Sequence, residues 1–156
     1  GVVALAITPF QLVPRLRRGR PSVHRWLGRT AMVAILAGGL GGLFMATVAY
    51  GGVVSRLGFA GLALAWLTTA SLGLRAIRAH KMALHRRWMI RTIALTVAAV
   101  TLRLWLPLLL AGAQLPFDTA YPIVAWLCWV PNLLVAEVVV RRTPLNPSTI
   151  GAAPGG

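Results

Sequence analysis

Acid is what this chain most lacks. Two carboxylates, Asp118 and Glu137, stand among 156 residues that include sixteen Lys and Arg. On one helix they would lie about 28 Å apart at 1.5 Å per residue, too far to share an acid/base site. An ion or proton path through a membrane carries acids inside its spans, and only Glu137, near an end, comes close. Cys128 stands alone, which excludes an intrachain disulfide and any Cys-x-x-Cys metal or redox pair. No glycine-rich phosphate loop, HExxH or G-x-S-x-G signature occurs. The expectation is a protein without catalysis of its own. Charge of both signs is scarce as well: 12% of residues carry it, where soluble domains average about 25%.

What fills the chain is apolar. Hydrophobic residues make up 58%, and the mean hydropathy is +0.76. Charge-free runs cover residues 30–50, 57–74 and 119–136, and residues 92–113 carry Arg103 alone. A membrane crossing needs about 20 apolar residues, so these runs predict four transmembrane helices, at about 24–50, 57–78, 88–112 and 119–141. Residues 1–14 read as a fifth helix whose beginning is missing. The fold class expected is an all-α integral membrane protein, an antiparallel bundle over 1–142. The tail 143–156, rich in Pro, Gly and Ser, reads as a disordered end.

A net charge of +14 on a soluble surface would suggest nucleic acid. Here the cations cluster between apolar runs, which makes lipid the partner and nucleic acid none. Fourteen of the sixteen fall at 15–29, 75–91 and 141–142; Arg56 lies on the other side, and Arg103 lies within a span. By the positive-inside rule both long loops and the C-terminus face the cytoplasm, as in a multi-pass protein of a bacterial inner membrane. Trp26 and Trp88 mark one headgroup level; Tyr50, Phe117 and Tyr121 mark the other.

Four stretches occur in an order that resembles one family. They are Pro9-Phe10-Gln11 with PSVHRWLGR at 21–29, HRRWMIRTIAL from His85, TLRLWLPLLL from Thr101, and WLCWVPNLLVAE from Trp126. The chain resembles the bacterial membrane proteins grouped as domain of unknown function 2306. That resemblance implies a small multi-helix membrane protein and no established activity.

Small residues recur every fourth position as Ala34, Gly38, Gly42 and Ala46, and again as Gly61, Ala65, Thr69 and Gly73. Such stripes let backbones approach closely in lipid, and the short turn between the two helices predicts that the stripes face each other. Failing that, each offers a face to a partner helix, a flat pigment or a lipid. Back-folding of the last helix sets Glu137 level with Arg91, an expected ion pair, with Arg141 one turn on as the alternative cation. The same fold sets Arg103 level with Leu127, whose carbonyl loses its helical donor to Pro131. With Asn132 one turn on, these residues form a candidate ligand or lipid pocket.

His24, His80 and His85 all fall on the arginine-rich side. Two imidazoles on facing helices can ligate haem iron, and the HRWLG opening resembles helix starts in some b-type cytochromes. Each histidine also neighbours Arg or Lys, where an interfacial role suffices. No metal site is expected, and no cofactor. The leading functional expectation is a structural or accessory subunit of a larger membrane complex, with a respiratory or photosynthetic assembly as a natural host. The alternatives are a redox protein holding haem or quinone through the three histidines, and a lipid- or small-molecule-binding membrane protein.

Overall fold

A computed structural model describes residues 21–142 (for Pro21 and His24, the backbone alone). The predicted helix over 1–14 and the tail 143–156 lie outside the described residues. Within them every element is helical: α1 (Pro21–Thr47), α2 (Gly52–Arg78), α3 (Met82–Pro107), α4 (Phe117–Leu127) and α5 (Val130–Arg142). A π-turn, Leu108–Gly112, extends α3. Four stretches are long and apolar enough to cross a membrane: Arg25–Thr47, Gly52–Arg78, Met82–Gly112 and Phe117–Arg142. The chain is an all-α membrane protein.

Each boundary has a local cause. Between α1 and α2, Gly51 and Gly52 take φ of 83° and 71°, left-handed values that a Cβ would oppose. That reversal starts α2 at Gly52, ahead of the predicted 57, and carries Arg56 into the helix as an exposed side chain. At the far end of α2, His80 is left-handed (φ 55°). The Lys81 N–H closes back on the Ala76 carbonyl at 2.9 Å, a Schellman-type stop. α3 therefore begins at Met82 and takes Arg86 and Arg87 into its first two turns, where the charge pattern alone places the start at 88.

The last span is two helices. Pro131 has no N–H to give the Leu127 carbonyl, and the α-helical ladder lapses at Cys128 and Trp129. Pro107 on α3 has a similar sequel: the chain loosens into the π-turn, which ends with the Ala113 N–H on the Leu108 carbonyl at 3.0 Å.

α2 sits at the centre, packing on α1, α3 and α4; α3 packs on α2, α4 and α5. The break at 128–129 lets the last span change neighbours, so that α4 lies mainly on α2 and α5 on α3. Among the described helices, α1 packs on α2 alone. The α1–α2 seam is built of Ile35 and Ala70, with Met32, Ala34 and Trp66 against them.

The two small-residue stripes part company here. Gly42 faces Ala63, with 3.5 Å between an added Cβ and the Ala63 Cβ, and Gly39 lies against Leu67. The α1 stripe thus does turn toward α2. The α2 stripe turns away from α1: Gly61 faces Trp129, and Gly73 faces Trp88 and Met89 on α3. Residues 61 and 63 lie about 200° apart around a helix, so a helix with partners on several sides cannot give both faces to α1. The expectation that the stripes meet face to face is corrected by that rotation.

Candidate functional site

Polar groups within a span seek partners inside the protein; apart from the buried Ser55 hydroxyl, which has none among the described residues, they gather here at three levels. At the arginine-rich end, Arg91 donates to Glu137 Oε2 through Nη2 at 2.6 Å and Nε at 3.0 Å. Arg141, one turn beyond, donates Nε to Oε1 at 3.1 Å. The Arg91 guanidinium also stands 4.8 Å from the centre of the Trp88 ring, a cation–π contact. The structure brings together the two residues that back-folding paired, sets Arg141, the other expected cation, beside the same carboxylate, and adds Trp88.

The histidines occupy the same end. His80 is exposed in the turn after α2. His85, half-buried in the first turn of α3, places Nδ1 2.7 Å from the Gly73 carbonyl of α2. A carbonyl only accepts, so Nδ1 carries the proton. Gly73 also gives room to α3: a Cβ there would meet Met89 Sδ at 3.1 Å. His24 lies in the first turn of α1, and its side chain is outside the described residues. Among the described residues no three His, Cys, Asp or Glu converge on a point that could hold a metal ion.

The second level joins α3 to the break in the last span. The Thr101 hydroxyl donates to the Cys128 carbonyl. The Asn132 amide reaches the same carbonyl at 3.0 Å, Thr101 Oγ1 at 3.1 Å and the Ala94 carbonyl at 3.4 Å. Nearby, Trp66 of α2 donates Nε1 to Thr96 Oγ1 at 2.9 Å, and Thr96 donates to the Thr92 carbonyl. Sequence reasoning placed Arg103 with Leu127 and Asn132; the structure puts Thr101 there instead. Thr101 and Arg103 are two positions apart, so one facing α5 turns the other outward. Arg103 is exposed and donates Nη1 to Ala99 on its own helix at 2.6 Å. Leu127 borders a shallow apolar groove with Val54, Pro122, Trp126 and Pro131.

At the third level, near the arginine-poor end, Tyr50, Phe59, Phe117 and Tyr121 form one aromatic cluster. Tyr121 lies 5.1 Å from Phe117, 5.6 Å from Phe59 and 6.1 Å from Tyr50, centre to centre. Below it opens a cleft of about 360 Å³ bounded by α1, α2, Leu102 of α3 and Tyr121 of α4. Its α1 wall is the small-residue stripe: Gly38, Gly42 and Ala46 all line it. The sequence marked Tyr50, Phe117 and Tyr121 as headgroup-level rings; that two of them frame a cleft depends on helix rotation.

The family model described as predicted membrane protein (DUF2306) matches residues 1–140. No curated protein and no solved structure matches the chain.

Proposed function

For this chain, which belongs to the predicted membrane protein family called domain of unknown function 2306, we propose the role of an accessory subunit in a larger membrane assembly. It carries no catalysis of its own and docks other transmembrane helices through α1. One observation carries the reading. α1 has α2 as its sole packing neighbour among the described helices, and its opposite face presents Val33, Leu40 and Phe44 around Ala37 and Gly41, all exposed. A Cβ built on Gly41 meets nothing within 4 Å. Ala37 and Gly41 are four apart, the spacing that lets a second helix come close in lipid. The exposed cations of the arginine-rich end, among them Arg78 and Arg86, suit the cytoplasmic leaflet, each worth about 1 kcal/mol near anionic headgroups. On this reading the chain sits in a bacterial inner membrane with its C-terminus in the cytoplasm.

A photo-crosslinking amino acid at position 40, activated in cells, tests the proposal. The expected product is one discrete protein adduct, identified as a membrane subunit and lost on Gly41→Leu. Adducts to lipid alone would contradict it.

A further inference from the structure

Arg103 stands at the middle of an apolar run. Eleven uncharged residues precede it from Thr92, and ten follow it to Ala113. At 1.5 Å per residue the run measures about 33 Å, close to the ~30 Å of a bilayer's hydrocarbon. Arg103 therefore lies near the middle plane, and its side chain does not extend toward either headgroup level. It folds back on α3, where Nη1 meets the Ala99 carbonyl at 2.6 Å. The other donors of the guanidinium have no partner among the described residues. Arginine does not give up its proton in proteins, so a full charge faces outward at a depth where it is costly without a countercharge.

The surface around it is apolar. Val100, Leu104, Pro107 and Leu108 are exposed together with Arg103, at the spacing of a single helix face. α3 packs on α2, α4 and α5, and this strip is a side it leaves uncovered among the described residues.

The sequence holds no acid placed to serve this charge. Its two carboxylates are Asp118 and Glu137, and neither residues 1–20 nor 143–156 add another. Glu137 is held by Arg91 and Arg141 at the arginine-rich end. Asp118 lies in the first turn of α4 at the other end, beyond Gly112, and Gly112 is itself about 13 Å along the helix from Arg103. A second copy in the same orientation thus brings an acid only to the headgroup level. Lipid phosphates stand at that level too. A carboxylate at mid-membrane depth is one that a polypeptide helix carries there.

We infer that the Arg103 face of α3 docks a transmembrane helix of another subunit, one that carries an Asp or Glu at mid-membrane depth and pairs it with Arg103. This face is separate from the one on α1, and either can take a partner without the other.

Two lysine-flanked polyleucine helices of about 20 residues, one with Asp at its centre, are the probes for the full chain in phosphatidylcholine vesicles. Energy transfer from the tryptophans of the chain to a fluorophore on the peptide reads association. The Asp peptide should bind about tenfold or more tighter than the plain one. Arg103→Leu should erase that preference, and Arg103→Lys should keep it. Equal binding of the two peptides, or a preference that survives Arg103→Leu, would overturn the assignment. In the chain alone, Arg103→Leu should leave the melting temperature unchanged or raised, because no partner within the bundle is lost. A lowered one would make Arg103 a structural residue and overturn the assignment. In cells, a photo-crosslinking amino acid in place of Leu104 should capture a subunit with an acid inside its span. That adduct should be lost in Arg103→Leu and return when Arg103→Asp is combined with exchange of the partner's acid for Arg. Adducts to lipid alone, to a second copy or to another segment of the same chain would overturn it as well, whatever position 40 captures.

Discussion

Arg91 on α3 holds one carboxylate oxygen of Glu137 on α5 with two nitrogens, at 2.6 and 3.0 Å. This is the charged tie between the third span and the last, and Arg141 completes it from one turn away. A carboxylate held by two guanidiniums leaves a surplus cation, which the Trp88 ring face and the headgroup region accommodate.

Glu137→Gln should lower the melting temperature in detergent, and Arg91→Gln should lower it more, because the latter leaves Glu137 with only the exposed Arg141. The exchange Arg91→Glu with Glu137→Arg should recover part of the loss. Equal melting temperatures for all three variants and the parent would show that the pair adds no stability.

Asn132 serves the break in the last span. Asn132→Leu removes an amide that reaches two carbonyls and a hydroxyl. Interhelical hydrogen bonds in membranes average about 0.6 kcal/mol, with a maximum near 1.7, so a loss of about 1–2 kcal/mol is expected in reversible unfolding. Thr101→Val should cost less on its own. The double variant should cost less than the sum of the two, since both donors serve the Cys128 carbonyl.

Gly58 and Gly41 make a matched pair. A Cβ on Gly58 would stand 2.9 Å from both the Cβ and the carbonyl oxygen of Ala125, and 3.0 Å from the indole nitrogen of Trp126. Trp126 in turn donates to the Val54 carbonyl. Gly58→Ala should therefore push α4 off α2 and cost about 1–3 kcal/mol. Gly41→Ala meets open space and should leave the isolated protein as stable or slightly more so. Thermal unfolding of the two side by side checks the order.

Much of this architecture is legible before any coordinates. Long apolar runs and clustered arginines mark four spans because lipid admits little else, and back-folding about the 111–118 turn brings Arg91 to Glu137. What could not be read is rotation about each helix axis. Gly61 and Gly73 form as good a stripe as Gly38 and Gly42, yet they serve Trp129 and Trp88 rather than α1. Arg103 draws attention as the one cation in an apolar run, but Thr101, a residue with no such signal, reaches the last span. The proline at 131 pointed to the freed carbonyl at Leu127; the side chains converge on the next one, at Cys128. Sequence spacing defines a face, and only the set of neighbours decides which face turns inward.

We propose that the four-span bundle holds its arginine-rich end in the cytoplasm. Cys128 is the sole cysteine, so Cys128→Ala leaves a clean background for a single cysteine at Lys81, in the turn after α2, or at Gln114, in the turn before α4. Both native side chains are exposed. A membrane-impermeant maleimide applied to intact spheroplasts and to inverted vesicles reads each position from one side at a time. Lys81→Cys should be labelled only in inverted vesicles and Gln114→Cys only in spheroplasts. Labelling of both positions from the same side would contradict it.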